Sequence, residues 1–317
     1  MIEGIPQISV IIVTYKQEEL IKRAINSLLT QRDYIYEICV SDDCSPDRTW
    51  EVLQEYDKQY PGLFVLNRNE PNVGIFENIE RTWSMPTGDI VYRLAGDDEC
   101  GEGWFKTVVE YILKNKIDYK NENFCIYGDF KADYPNGDSI LFKQDAIKKF
   151  PHDALSLAIR GIICGRGCCY SSKLLNKFEK VSQGRSHIAE MAQDRQLQCF
   201  SENNYYIHYL ANIYHTCIGV SVVHNDSIQK ERRQILSYAL DFFEKRNIKI
   251  KPRDIKHGEF IRAVIEFKGN RTPYRFLKIV YYFFVSLDIR YFFLGNDIRH
   301  VIFAVIRRFP HKNPIHF

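Results

Sequence analysis

The first hundred residues alternate between two hydrophobic periods, and this constrains the fold of the 317-residue chain more than any other feature. Short apolar runs such as ISVIIV alternate with segments such as EELIKRAINSLLTQ, whose apolar residues recur at helical spacing. Continuous apolar runs are typical of strands covered on both faces. The order predicts an α/β fold with a mostly parallel central sheet flanked by helices. The predicted strands are 8–13, 36–40, 63–67 and 89–95, and the predicted helices are 18–31, 45–56 and 72–85.

After residue 100 the alternation becomes less regular, and a helical region follows residue 226. Strands are predicted at 124–130 and 205–215, with an Asn136-Gly137 turn after the first of them. Helices are predicted at 187–201, 228–247 and 254–268. We therefore expect an α/β domain over residues 1–226, divided near residue 100, and a helical C-terminal extension over residues 227–317.

Polar sequences follow three of the predicted strands: TYKQ, SDDCSPD and GDDE. In a parallel sheet these strand ends meet at one edge, where ligands bind. Asp97, Asp98 and Glu99 repel one another unless a cation is near, and the sequence shows no base fixed beside them. A solvated loop is the simpler interpretation. A site for Mg²⁺ or Mn²⁺ that holds a phosphorylated substrate is the interpretation we favour, since hard cations prefer carboxylate and phosphate oxygens.

The charge of the chain is unevenly distributed. Residues 270–317 carry eight Lys or Arg against two Asp, whereas the whole chain has a formal net charge of only +3. The longest uncharged run there, Ile279–Leu287, is nine residues, well below the ~20 that span a bilayer. Basic, aromatic segments of this kind are typical of helices that lie on an anionic membrane surface. The alternative is that these apolar faces pack on the α/β domain or on a second subunit of a homo-oligomer.

Nine cysteines occur in a chain whose N-terminus, MIEGIPQ, lacks the basic and then apolar start of a signal peptide. Reduced thiols in a cytoplasmic setting are therefore expected. The CGRGCC sequence at 164–169 lacks the paired spacing of a zinc site. Neither the P-loop motif nor GxGxxG follows the first strand, which argues against a P-loop enzyme and against a dinucleotide-dependent dehydrogenase.

Three blocks, ISVIIVTYKQEELIKRAINSLLTQ, EICVSDDCSPDRTWEVL and GDIVYRLAGDDE, together resemble the family 2 glycosyltransferases of GT-A fold. The resemblance covers roughly residues 7–225. It implies a nucleotide-binding first half, an acceptor-binding second half, and sugar transfer from a nucleoside diphosphate donor with inversion at the anomeric carbon.

The resemblance also implies roles for individual residues. The second acid of the SDD pair, Asp43, accepts from N3–H of uracil or thymine, which favours a UDP- or dTDP-sugar. Asp97 matches the last Asp of the family's DxD motif, with Asp98 beside it as a second metal ligand; Ala95 replaces the first Asp. Asp194 matches the catalytic base, although Gln193 stands where a Glu is usual.

Two further residues are candidates from their chemistry. Tyr15, directly after the first strand, can stack its ring on a nucleobase; the alternative is an ordinary half-buried tyrosine. His215 or His224, of which we favour His215, can donate a hydrogen bond to the diphosphate, although a single histidine is more often structural.

These expectations describe an enzyme on the inner face of the membrane. Its acceptor is expected to be a lipid-linked saccharide used in surface-polysaccharide synthesis. No nucleic acid partner is expected. Two alternatives are a nucleotidyl- or phosphotransferase on a similar sheet, and a non-catalytic scaffold that binds sugar nucleotides. The first would favour a basic, Gly-rich loop after the first strand, whereas TYKQEEL is neither. The second is disfavoured by the presence of Asp43, Asp97 and Asp194 together.

Overall fold

The computed structural model describes residues 5–160, 162–177, 197–216, 243–269, 272–288 and 290. The chain divides into two compact units. The first consists of Met1–His152 and Gly165–Phe242, and the second of Asp153–Cys164 and Phe243–Phe317. Most of the helices predicted at 187–201 and 228–247 lies outside the described residues.

The first unit contains a mixed sheet of nine strands in the described part of the chain. Its main path has the order β3-β2-β1-β4-β8-β6-β9-β5, and β7 pairs with β6 beside this path. The strands are β1 (Ile8–Thr14), β2 (Ile35–Asp42), β3 (Phe64–Arg68), β4 (Ile90–Ala95), β5 (Glu99–Cys100), β6 (Phe124–Asp133), β7 (Ser139–Phe142), β8 (Cys168–Ser171) and β9 (Asn203–His215).

Strand direction confirms the α/β prediction and adds a detail to it. Strands β1 to β4 are parallel to one another. Strand β8 runs antiparallel to both β4 and β6, and β6 is parallel to β9. The second half of the sheet is therefore mixed, partly because the tight turn at Gly137, whose φ is 88°, permits only antiparallel pairing of β6 with β7. Strands β4, β6 and β9 nevertheless point the same way, so their carboxyl ends lie at the edge where β1 and β2 also end.

Helices cover this sheet and build the core with it. In the first unit they are α1 (Leu20–Leu29), α2 (Thr49–Gln59), α3 (Ile75–Trp83), α4 (Trp104–Asn115), α5 (Ala146–Lys149) and α7 (Ser172–Leu175), and α6 (Ala154–Ile159) belongs to the second unit. Helix α1 buries the face of Ile21, Ala24, Ile25 and Leu28 predicted by its helical spacing.

The start of α2 differs from the prediction. The helix begins at Thr49, four residues after the start predicted at residue 45. Ser45 instead accepts a hydrogen bond from the backbone N–H of Lys16 at 3.0 Å and donates to Asp42. The SDDCS segment is therefore a loop that ties the ends of β1 and β2 together, and its bonds within the sheet edge compete with helix formation.

The second unit is helical in its described residues. Its helices are α6, α8 (Pro252–Gly269) and α9 (Pro273–Ser286), and α8 matches the helix predicted at 254–268. Phe260 and Ala263 of α8 pack with Ile279 of α9 in a small core. None of the helices in the described ranges combines the length and the apolar character needed to cross a bilayer.

Candidate active site

The carboxyl edge of the sheet collects four of the residues predicted from the sequence. Tyr15 follows β1, Asp43 follows β2, Asp97 follows β4, and His215 is the last residue of β9. His215 is separated from Asp97 by more than a hundred residues of sequence, and parallel strand direction alone brings it to this edge. Asp194 and His224 lie outside the described residues.

Tyr15 is positioned for contact with a ligand. Its side chain is 43% exposed, although the strand before it is almost entirely buried. The next residue, Lys16, has a positive φ of 56° and places its ammonium 5.2 Å from the Tyr15 ring centroid. An exposed aromatic ring beside a cation can receive both a planar base and a phosphate group.

Asp43 is buried, and its carboxylate holds the loop between β3 and α3. Oδ1 accepts from Asn69 Nδ2 at 3.0 Å and from the backbone N–H of Val73 at 2.9 Å. Oδ2 accepts from the backbone N–H of Gly74 at 2.8 Å. The side chain of Asn72 donates to the main-chain oxygen of Asp43 at 2.7 Å. Since a carboxylate has about four acceptor positions, these three bonds leave one for a ligand.

A polar network continues from Asp43 into the sheet. Asn69 Nδ2 also donates to Asn78 Oδ1 at 2.9 Å, and Asn78 Nδ2 donates to the main-chain oxygen of Ser41 at 3.1 Å. Arg81 donates to Asn69 Oδ1 at 2.9 Å. These buried groups are mutually satisfied, so they define one position for Asp43 rather than several.

The neighbouring Asp42 serves the loop and not the following helix. It is fully buried and accepts from the backbone N–H of Ser45 at 3.0 Å. Burial raises the pKa of Asp42, and the Ser45 hydrogen bonds and the nearby Arg68 act in the opposite direction. The Arg68 Nε atom lies 3.6 Å from Asp42 Oδ2, and its guanidinium stands over the Trp50 ring at 5.6 Å.

The three acids after β4 have separate environments. Asp98 is buried, and its Oδ1 accepts from the backbone N–H of His215 at 3.1 Å. Glu99 Oε1 lies 2.7 Å from His215 Nε2 and 3.6 Å from Arg23 Nε. Arg23 also donates to the main-chain oxygen of Asp97 at 2.5 Å. The expectation that no base is fixed beside these acids is therefore wrong: Arg23 and His215 both are.

These contacts define the donor set that a metal would meet. Asp97 is half-buried at the sheet edge, Asp98 accepts from the backbone N–H of His215, and Glu99 lies beside the His215 ring and Arg23. Within the described residues, no group of three or more His, Cys, Asp or Glu side chains is arranged to hold an ion. The oxygens present suit a hard cation that takes its remaining ligands from a substrate, and they do not form a complete protein site.

The turn between β4 and these acids leaves little room for a side chain at Gly96 unless Gln17 moves. A Cβ placed on Gly96 would lie 2.3 Å from Gln17 Oε1 and 3.2 Å from the main-chain oxygen of Val13. Gln17 Oε1 in turn accepts from Thr14 Oγ1 at 2.8 Å. The close approach of the loops after β1 and β4 explains the glycine before the acids.

Several residues of this edge were not recognised in the sequence. Arg23 lies on the polar side of α1, and nothing in the sequence distinguishes it from other exposed cations. Asp133, at the end of β6, is the register partner of His215. Burial by itself would raise the pKa of Asp133. Hydrogen bonds from Ser139 and Lys131, together with the nearby His215, outweigh burial and lower this pKa. Its position at a strand end is the signal that could have indicated it.

Comparison with known proteins identifies the family. The family model described as glycosyl transferase family 2 matches residues 9–176, more than half of the chain. The chain belongs to this family. The match includes nearly all of β1, and β2 and β4, with the polar segments that follow them, so Tyr15, Asp43 and Asp97 lie inside the matched region, whereas His215 lies beyond it.

Among relatives, the abequosyltransferase RfbV of Salmonella typhimurium is 23% identical over an alignment of 272 positions, which covers 77% of this chain and 77% of that one. Uncharacterized proteins of Mycobacterium tuberculosis and Mycobacterium bovis are 32% identical over 91 residues, and that match spans only 26% of their length.

Among solved structures, S. aureus TarS 1-349 in complex with UDP-GlcNAc has a TM-score of 0.56 at 14% identity, covering 94% of this chain and 89% of that one. GalNAc-T7 with UDP, GalNAc and Mn²⁺ has a TM-score of 0.55 at 14% identity, covering 86% and 52%. These likenesses confirm the GT-A-like fold.

Proposed function

We propose that this chain transfers a sugar from a nucleoside diphosphate sugar to a saccharide hydroxyl in a single inverting displacement. The observation that carries the proposal is the convergence of Tyr15, Asp43, Asp97 and His215 at one sheet edge, the first three of them within the region that the family model matches. This edge offers an aromatic surface for a base, an acceptor for its N–H, and carboxylates for the diphosphate end.

The donor we propose is a UDP- or dTDP-sugar. Uracil and thymine each present an N3–H, which the remaining acceptor position of Asp43 can receive, while the exposed Tyr15 ring stacks on the base. TarS was solved with UDP-GlcNAc, which supports a uridine donor by analogy of fold. In this proposal Asp43 therefore has two roles: it binds the base, and it holds the loop at residues 72–74.

We propose that Asp97, with Asp98 behind it, would hold Mg²⁺ or Mn²⁺ jointly with the donor. A bound divalent ion supplies charge neutralisation for the diphosphate that departs. His215 has Nε2 directed at Glu99, so any hydrogen bond to the diphosphate comes from Nδ1 or requires this pair to open. Arg23 lies beside Glu99 and donates to the main-chain oxygen of Asp97, so a cation of the protein already stands at this end of the site.

Asp194 is the proposed base that removes the proton from the acceptor hydroxyl, on the strength of its match to the family pattern. A lipid-linked saccharide of surface-polysaccharide synthesis is the proposed acceptor, which places the enzyme at the inner face of the membrane. The likeness to RfbV, an abequosyltransferase, supports sugar transfer, and the basic character of residues 270–317 supports a site near lipid.

The experiment is a screen of UDP-, dTDP- and GDP-sugars by calorimetry, with and without Mn²⁺, followed by an assay for nucleoside diphosphate release. Asp97→Asn should weaken metal-dependent donor binding by about 100-fold, since even indirect disturbance of metal ligands costs 10–100-fold. Asp33→Asn, an exposed carboxylate away from the sheet edge, is the matched control. Donor affinity that is unchanged by Asp97→Asn and by EDTA would contradict the metal assignment.

Asp194→Asn tests the base separately. Donor binding should persist, and transfer should fall about 10²–10⁴-fold because only the proton acceptor is removed. Transfer at the parent rate would place the base elsewhere. Binding of donors without any nucleoside diphosphate release, across a panel of saccharide acceptors, would favour the scaffold alternative.

A further inference from the structure

Helix α9 of the second unit exposes an unusually apolar face. Tyr274, Leu277, Tyr281 and Phe284 are 67%, 63%, 58% and 66% exposed. They are four of the ten large hydrophobic residues that are exposed among the described residues. Their spacing of three, four and three residues places them in one stripe along the helix.

The opposite side of α9 packs against α8 within the second unit. Ile279 is fully buried in the core shared with α8, and the Phe283 ring lies 5.8 Å from that of Phe260. Ile279 and Phe283 lie on the far side of the helix from the exposed stripe, given about 3.6 residues per turn. The exposed stripe is therefore not needed to attach α9 to its own unit.

The charged residues of α9 itself are both basic. Helix α9 contains Arg275 and Lys278 and no acidic residue. The ammonium of Lys278 lies 5.1 Å from the Tyr274 ring centroid, so a cation stands at the edge of the apolar face. Residues 270–317 as a whole carry eight Lys or Arg against two Asp. Large aromatic side chains flanked by cations are suited to the headgroup region of an anionic bilayer.

We propose that the α9 face formed by Tyr274, Leu277, Tyr281 and Phe284 docks on the surface of an anionic membrane. A second copy of the chain fits this face less well. A two-fold contact through the middle of α9 would bring the Lys278 ammonium groups of the two copies close together, where they would repel each other. The docking extends the proposed function by placing the enzyme beside a lipid-linked acceptor. The biological purpose of the docking rests on the proposed function, but the docking itself does not, since lipid binding is measured without any sugar transfer.

The test is flotation of the full-length protein with vesicles of phosphatidylcholine alone or mixed with phosphatidylglycerol. The parent should bind only the mixed vesicles, and high salt should release it. The double variant Leu277→Gln/Phe284→Gln should lower partitioning about tenfold, since it removes two side chains from the buried face. The matched control is Ile140→Gln/Leu141→Gln, which alters two comparably exposed residues of β7.

A second pair of variants tests the charge. Lys278→Gln should lower binding to the mixed vesicles about fivefold, because one cation near an anionic leaflet contributes about 1 kcal/mol to membrane binding. Lys143→Gln, an exposed lysine of the first unit, should not. Circular dichroism establishes that each variant is folded, and calorimetry with the donor shows whether the transferase site is intact.

Three results would overturn the proposal. They are equal binding of the parent to both kinds of vesicle, full binding by the folded Leu277→Gln/Phe284→Gln variant, and loss of a dimer in that variant with lipid binding unchanged. The last would show that a second copy covers this face. A failed transfer assay with normal lipid binding would count against the proposed function alone.

Discussion

Replacement of Asp43 by Asn separates its role in the fold from its role toward the nucleotide. The carboxylate accepts from Asn69, Val73 and Gly74 at 2.8–3.0 Å in a buried position. An amide of the same shape keeps one acceptor oxygen. If that oxygen replaces Oδ1, the NH₂ group of the amide faces the backbone N–H of Gly74, and two donors then oppose each other.

The magnitude follows from these contacts. One hydrogen bond to a charged acceptor contributes about 1.5–3 kcal/mol, and a buried donor left unsatisfied costs about 1–3 kcal/mol. Part of this overlaps, so Asp43→Asn should lower the free energy of unfolding by about 2–4 kcal/mol. Asn72→Ala is the matched control, because it removes one neutral bond to the main chain of the same residue and should cost about 1 kcal/mol.

Urea unfolding followed by tryptophan fluorescence is the appropriate assay. The three tryptophans, Trp50, Trp83 and Trp104, all lie in the first unit, so the signal reports the unit that contains Asp43. The measurement is made without nucleotide, and calorimetry with UDP is then made on the folded variant. If Asp43→Asn unfolds at the parent urea concentration with the same slope and loses only UDP binding, the anchoring role deduced from the three hydrogen bonds is refuted.

Three other predictions rest on buried groups. Asp98→Ala should destabilise the first unit by about 1–3 kcal/mol because the N–H of His215 loses its acceptor, and urea unfolding compared with Asp97→Asn measures this. Arg160 Nε lies 2.5 Å from Asp254 Oδ1 with both side chains buried, so Arg160→Met alone should cost about 3–5 kcal/mol, whereas the double variant Arg160→Met/Asp254→Leu should recover much of the loss. A double-mutant cycle by thermal unfolding checks this, and additive costs would contradict it. Burial raises the pKa of Cys39 to about 12, and the residue lies in the core, so at pH 8 its alkylation in the folded protein should be far slower than that of an ordinary thiol and should recover in urea. Mass spectrometry of labelled peptides measures the rate, and labelling of Cys39 in the folded protein as fast as in urea would contradict the prediction.

Local patterns in the sequence determined the first half of the fold. ISVIIV and GDIVYRLA predict β1 and β4, and the spacing of Ile21, Ala24, Ile25 and Leu28 predicts the buried face of α1. These predictions succeed because side-chain periodicity is a property of neighbouring residues, and because parallel strands share one carboxyl edge. The positions of Tyr15, Asp43 and Asp97 at that edge follow from the same two facts.

Only the tertiary structure decided which side chains face one another at that edge. Arg23 is one of several polar residues on α1, and its contact with Glu99 depends on how the helix is rotated against the sheet. His215 reaches Glu99 because β9 runs parallel to β6, a direction that no local pattern in the second half of the chain specifies. The segment 153–164, predicted as part of the α/β domain, groups with the C-terminal helices, where Arg160 meets Asp254. In each case the sequence states that a residue is polar or apolar, whereas its partner is set by packing between elements that are distant along the chain.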